Sequence, residues 1–525
     1  MSNFLNMRQS ALKPLRVVVS LVSFFLILWL FIGLSGKLTH ELTRLILLFQ
    51  FIPSAITLFH FVTAASLGCI FILLLTLLFG RVYCSFFCPL GTLQDLIIRV
   101  RSGIRGKKRF HFMKPQRWVQ YCLLALTVIP VFFGSLFVLN LLDPYSFAGK
   151  IFSDLFRPAV GYANNLVVWI LKQFNNYSLY PIDTEIFSTP ALIYAAVIFA
   201  AIVFLALFKG RWYCNAICPV GTFLGLLSRF SLFRIRIDHD QCSSCGLCAG
   251  KCKAGCIDQK SKELDFSRCV ACYNCLRACR SNSISYSFAW KKPHHPETDP
   301  SRRKFMKQTT AGLTTLAGVL VANHVWAQGK AEGKPRRPVP ATPPGSLSLQ
   351  QFTTACTACH LCVTACPTKV LQPSFFEFGF DGLFLPRMDF KSGFCNYDCV
   401  ACSQVCPTEA LHTLTVEQKH VTRIGLSKFT KNLCVVPRFQ TDCGACSEHC
   451  PTKAIEMVPY LDGLTIPQVN EKICIGCGAC EHICPADPGP AIIVEPLAVH
   501  QVAEKPLKEA PAKPAEKKKE EDFPF

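Results

Sequence analysis

CTACHLCVTACP, residues 356–367, sets three cysteines two residues apart, a fourth after three more, and a proline behind it. CNYDCVACSQVCP at 395–407 and CIGCGACEHICP at 474–485 repeat the plan, and Cys434, Cys443, Cys446 and Cys450 stretch it before Pro451. Upstream, CSSCGLCAGKC at 242–252 and CVACYNCLRAC at 269–279 keep the spacing, with Lys253 and Arg280 in place of the proline.

A [4Fe-4S] cubane needs four thiolates, and in two-cluster ferredoxins three come from one such loop and the fourth from the partner run. Zinc takes two pairs of ligands and has no use for a third close cysteine, and adjacent disulfides do not satisfy such crowded loops. The six groups therefore predict six [4Fe-4S] clusters. Their ligands are Cys242, Cys245, Cys248 and Cys252; Cys269, Cys272, Cys275 and Cys279; Cys356, Cys359, Cys362 and Cys366; Cys395, Cys399, Cys402 and Cys406; Cys434, Cys443, Cys446 and Cys450; and Cys474, Cys477, Cys480 and Cys484. By the exchange rule Cys279 joins Cys242, Cys245 and Cys248, and Cys252 joins Cys269, Cys272 and Cys275. Cys256 lies one step beyond Cys252 and competes with it. CTACH also matches a c-type haem site, but its two cysteines are already needed by the ferredoxin run, so haem is set aside.

Outside these runs the chain is apolar. It has 525 residues, 51% hydrophobic and 17% charged, which excludes a single soluble globule. Four stretches, at 15–34, 55–79, 119–142 and 191–208, are long enough to cross a hydrocarbon core, which takes about 20 helical residues. Arg8, Lys13 and Arg16 precede the first, and a loop with Arg81, Arg99, Arg101, Arg105, Lys107, Lys108 and Arg109 follows the second. By the positive-inside rule both lie in the cytoplasm, and topology rather than nucleic acid absorbs much of the net charge of +21.

Ser301-Arg302-Arg303-Lys304-Phe305-Met306-Lys307 before the apolar stretch 311–327 resembles a twin-arginine export signal. Clusters are assembled on thiolates in a reducing compartment, so a cluster domain bound for the periplasm must cross folded, and this signal serves such cargo. The expected fold is an α-helical membrane bundle of four spans, five if the export segment is retained, with bacterial-ferredoxin-like α+β domains on both sides. Its parts are a membrane domain at 1–230, a cytoplasmic dicluster domain at 231–290, the signal at 301–328, a linker at 329–350, a periplasmic four-cluster domain at 351–498 and a disordered tail at 499–525.

GRVYCSFFCPLGT at 80–92 is echoed by GRWYCNAICPVGT at 210–222. The membrane domain is thus two related halves, and Cys84, Cys88, Cys214 and Cys218 form a metal or cluster site, redox-active thiols, or packing at helix ends.

The duplicated C-x3-C-P motif beside a dicluster run resembles NapH, the membrane quinol-dehydrogenase subunit of periplasmic nitrate reductase systems, and its NosR relatives. Residues 301–490 are similar to NapG, the periplasmic ferredoxin partner. The resemblance implies that the first and fourth C-terminal runs exchange their last cysteines, as do the second and third. It implies an inner-membrane protein that oxidises quinol from the membrane quinone pool and passes electrons to a periplasmic reductase or cytochrome, after handling by the twin-arginine translocon. Quinol oxidation releases protons, so Asp143 and His60 are the quinol-site candidates, with His40 and Glu41 behind them. Two other functions fit the same motifs: a conduit from a cytoplasmic electron donor, and a maturation or regulatory factor for a periplasmic metalloenzyme.

Overall fold

The computed structural model describes residues 2–33, 40–60, 66–104, 106, 109–182, 188–288 and 339–505. The export segment lies outside the described residues. Two of the four expected spans are continuous helices: α1 (Ser2–Ile32), apolar over Ala11–Ile32, and α11 (Thr189–Lys209), which has Pro190 in its first turn where no N–H is missed. Leu15, Val18, Val22, Phe25 and Trp29 of α1 and Ile193, Val197, Phe204 and Phe208 of α11 form exposed stripes at helical spacing, while Phe24, Ile27 and Phe31 on the opposite face of α1 are buried. Such stripes suit a lipid surface.

The other two spans come broken. Helix α2 (His40–Leu48) meets α3 (Phe51–His60) at 98°, and α4 (Leu67–Phe79) follows. Pro53, in the first turn of α3, has no N–H to continue the hydrogen-bond ladder from α2. After α5 (Tyr83–Phe86) and α6 (Pro89–Ile104), helix α7 (Arg117–Phe132) carries Pro130 and ends before Gly134, whose φ is 81°. Short helices α8 (Phe137–Leu142) and α9 (Pro144–Lys150), a π-helical turn at Ile151–Phe156 and α10 (Arg157–Gln173) complete this half. The described residues thus hold two helices long and apolar enough to span a membrane, or three if α2 and α3 make one span.

Beyond α12 (Trp212–Ala216) and α13 (Pro219–Ser228) lies the first ferredoxin unit. Strand β1 (Phe233–Ile237) pairs antiparallel with β4 (Ile284–Phe288), Ile235 opposite Tyr286, and between them β2 (Ile257–Asp258) pairs with β3 (Glu263–Leu264). Phe233 stacks on Phe79 at 5.5 Å, and the Leu232 N–H donates to the Leu77 carbonyl.

Residues 339–350, expected as the end of the linker, pack into the second unit. Ala341, Thr342 and Ser346 are buried, and the Met388 N–H donates to Ala341 while the His412 N–H donates to Gly345. Backbone hydrogen bonds hold this stretch where apolar content predicted a linker. The unit also runs past 499, because β10 (Ile492–Val502) pairs with β7 (Thr422–Phe429) and Ala503 is buried. Hairpins β5 (Leu371–Pro373) with β6 (Pro386–Met388), and β8 (Ile455–Pro459) with β9 (Thr465–Val469), fill the rest.

The two units contact opposite ends of α1. Lys13 lies within electrostatic range of Arg277 and Cys272 of the first, whereas Gly33 adjoins Thr364 and Phe31 packs where Gly149 meets the Cys359 carbonyl of the second. Twenty helical residues separate those points, about 30 Å at 1.5 Å per residue.

Candidate metal centres

Each regular run folds into the same loop. Ser244 and Gly246, Ala271 and Tyr273, Ala358 and His360, and Gly476 and Gly478 all have positive φ, on either side of the second cysteine, and a five-residue helix then carries the third. Side chains other than glycine adopt that conformation at a cost, so its recurrence at Ala271, Tyr273, Ala358 and His360 marks loops shaped by what they enclose. The two runs with irregular spacing close differently: Val400 and Gly444 have φ of −121° and −118°.

Cys242, Cys245, Cys248 and Cys279 line one cavity, and Cys252, Cys269, Cys272 and Cys275 line another. This is the grouping expected from the exchange rule. Cys256 also lines the second cavity, with its sulfur 3.5 Å from that of Cys252. In the C-terminal unit Cys434, Cys443 and Cys446 gather with Cys484, and Cys474, Cys477 and Cys480 with Cys450. Cys356, Cys359 and Cys362 have Cys406 as their neighbour, while Cys395 and Cys402 have Cys366.

This overturns the exchange implied by the NapG resemblance. Adjacent runs pair, first with second and third with fourth. The reason is local: β5–β6 separates the first two runs and β8–β9 the last two, as β2–β3 separates the runs of the first unit, so each hairpin folds its flanking runs onto one another.

The residues fit clusters. All 31 cysteines are free thiols, and most ligands named above are buried in apolar surroundings. Among the described residues no three His, Cys, Asp or Glu groups close to the spacing of a single ion. The sulfurs of Cys406, Cys450 and Cys484 accept backbone N–H bonds from Leu411, Ala454 and Ala491 at 3.2–3.4 Å, a contact that tunes cluster potential.

The C-x3-C-P copies fold alike and interlock. Arg81 donates to the Cys214 carbonyl at 2.8 Å and Arg211 to the Cys84 carbonyl at 2.7 Å, so each half clasps the other. A Cβ on Gly91 would strike the Cys84 carbonyl and one on Gly221 the Cys214 carbonyl, which explains the glycine in both copies. All four cysteines are buried. Beside them Asp95 on α6 binds Arg16, Arg211 and Lys253. Burial alone pushes the Asp95 carboxyl up, but Arg211, Lys253 and Arg16 outweigh it and hold it well below the ordinary carboxylate range.

Asp143 is fully buried and caps α9, accepting from the Tyr145 and Ser146 N–H groups at 3.2 and 2.8 Å. The Tyr145 hydroxyl is buried among these groups and neighbours the Cys359 thiol. His60 ends α3, and its side chain lies outside the described residues, as does that of His40; Glu41 is exposed.

His360, the histidine of the haem-like motif, has a different task. Its Nδ1 lies 2.9 Å from Asp154 and its Nε2 2.9 Å from the Phe384 carbonyl, so both ring nitrogens are engaged. Sequence reasoning missed Asp154, because only docking brings it to residue 360. His360→Ala leaves the buried Asp154 carboxylate to the Ser153 hydroxyl, and losing a buried hydrogen bond to a carboxylate costs about 1.5–3 kcal/mol. The expected result is loosened docking of the second unit, read as faster hydrogen exchange across residues 144–156.

Comparison with known proteins adds to this geometry. A 4Fe-4S binding domain model matches residues 61–108 and 192–238, each segment holding one C-x3-C-P pair. A 4Fe-4S dicluster domain model matches 355–410 and 441–487, the same two pairs of runs that the hairpins join. A second dicluster model matches 265–370, a stretch whose two cysteine runs the fold places at opposite ends of α1, so that match reflects repeated spacing rather than one folded unit. The chain is 35% identical over 158 residues to the ferredoxin-type protein NapF of Escherichia coli K12, covering 30% of this chain and 86% of that protein. It is 32% identical over 205 residues to the methylamine utilization ferredoxin-type protein MauM of Methylorubrum extorquens, covering 35% and 84%. The putative electron transport protein YccM of Escherichia coli K12 is 26% identical over 236 residues, 44% of this chain and 57% of that one. No solved structure matches the chain.

Proposed function

Because the chain belongs to the ferredoxin-type iron–sulfur electron-transport proteins, we propose that it oxidises a membrane quinol and delivers the electrons through its periplasmic unit to a reductase or cytochrome. The observation that carries this reading is the seating of the Cys356–Cys362 loop on the membrane helices. The Asn140 side chain donates to the Cys356 carbonyl at 3.1 Å, the Ser146 hydroxyl faces the Ala358 carbonyl, and Tyr145 faces Cys359. These contacts support a cysteine-held centre lying against the membrane bundle.

Six [4Fe-4S] clusters, when bound, supply one-electron steps that divide the two-electron oxidation of a quinol. The chain does the rest. The paired runs hold and insulate the centres, and Asp143 fixes the Tyr145 and Ser146 backbone against the Cys359 loop. The basic N-terminus and the loop after α4 orient the bundle with its first ferredoxin unit in the cytoplasm, and the twin-arginine segment exports the second to the periplasmic face of the inner membrane.

Menaquinol added anaerobically to the purified protein should bleach the iron–sulfur absorbance and produce reduced-cluster EPR signals, and a quinone-site inhibitor should block both. Reduction by dithionite alone, with ubiquinol also inactive, would sink the quinol reading. A conduit from a cytoplasmic donor is favoured by one specific observation, the docking of the first unit on the far end of α1. It predicts that replacing Cys242 and Cys269 stops electron delivery from that donor while quinol-driven reduction persists.

A further inference from the structure

The ferredoxin runs leave Cys84, Cys88, Cys214 and Cys218 unused. Each copy of the repeat supplies only two thiols, too few for a cluster of its own. The interlocked halves bring the pairs together: one Arg81 Nη lies 3.9 Å from the Cys84 sulfur and 2.8 Å from the Cys214 carbonyl, and Cys88 and Cys218 each have both of those cysteines as neighbours. All four are among the buried residues of one continuous core.

A second observation points to what they surround. Arg81 is 1% exposed, and its partners among the described residues are the Asn215 side chain, the Ser267 and Cys214 carbonyls and the Cys84 sulfur; no carboxylate is among them, and among those residues its Nε has no partner. Arg211 is equally buried but has Asp95. Burying an uncompensated guanidinium is costly, so a negative charge beside Arg81 is called for. A cluster carried by four thiolates provides one.

The third observation is position. On one side, the Ser85 hydroxyl donates to the Val270 carbonyl and Arg81 to the Ser267 carbonyl, inside the loop that leads to Cys269 and Cys272. On the other, Tyr213 donates to the Leu142 carbonyl at 2.8 Å and has Asp143 for a neighbour, one residue from the helix whose Tyr145 faces Cys359. The four thiols therefore lie between the two ferredoxin units, whose contacts on α1 are about 30 Å apart.

We propose that Cys84, Cys88, Cys214 and Cys218 together hold one iron–sulfur cluster at the junction of the two repeats, and that it relays single electrons between the two ferredoxin units. Each passage reduces this centre by one electron from a reduced cluster of one unit, then returns that electron to an oxidised cluster of the other. No covalent bond to substrate forms or breaks and no proton is taken up. The inference rests on the reading of the cysteine runs as cluster sites and does not depend on quinol.

The test uses the full-length protein, purified anaerobically. Wild type should contain iron in excess of the about 24 atoms that six cubanes hold. The double variants C84S/C214S and C88S/C218S should lose that excess alone and keep the ferredoxin EPR signals. In liposomes with ferricyanide trapped inside and dithionite outside, wild type should reduce the ferricyanide, and both variants should fall to the rate of empty liposomes. No iron excess in wild type, or unchanged transfer in the variants, overturns the proposal. If neither variant folds, the wild-type iron count decides alone. The menaquinol assay stays separate: its failure with transfer intact removes the quinol reading and leaves the relay standing.

Discussion

Cys406→Ser is expected to remove the cluster held with Cys356, Cys359 and Cys362 and to spare the one held with Cys395, Cys399 and Cys402. Iron should fall by about 4 atoms per chain. The decisive sample is Cys356→Ser combined with Cys406→Ser. Two ligands of one cluster cost that cluster once, so the pair should lose no more iron than either single variant. An exchange between first and fourth runs would place the two cysteines in different clusters, and the pair would then lose about 8 atoms. Electron delivery should also stop in Cys406→Ser, since the centre affected is the one seated against α8 and α9.

Asp95→Asn should produce the largest loss of stability. One carboxylate there ties α1 through Arg16, the second repeat through Arg211 at 2.9 Å, and the first ferredoxin unit through Lys253 at 3.1 Å. Removing its charge leaves three cations facing one another in a buried site, and breaking such a centre costs about 3–5 kcal/mol. The measurement is the thermal midpoint of the iron–sulfur absorbance in detergent. Glu495→Gln is the control, because its pair with Lys428 is exposed and worth at most about 1 kcal/mol. Equal midpoints for the two variants would show that the Asp95 centre holds nothing together. The carboxyl is depressed in the folded state, so its contribution is present above the ordinary carboxyl range near pH 4 and lost only as pH falls well below it.

The cysteine spacing alone determined the ligand groups, the ferredoxin-type units and the two copies of C-x3-C-P, because each cluster-binding loop is local and its geometry is written in a dozen residues. Hydropathy likewise located α1 and α11, whose apolar runs are unbroken. It did not reveal the bend at Pro53 or the break after Pro130, since a sliding apolar average does not register one missing N–H. Which fourth cysteine completes which cluster depends on strands such as β5 and β6, too short to carry a periodic signal, and the resemblance that stood in for them pointed to the wrong exchange. The convergence of Cys84 with Cys214, the pairing of His360 with Asp154 and the three cations on Asp95 join residues 79 to 206 positions apart. Only the tertiary structure decided those, because a buried charge or thiol takes its partner from whatever the packing brings beside it, and no local pattern names that neighbour in advance.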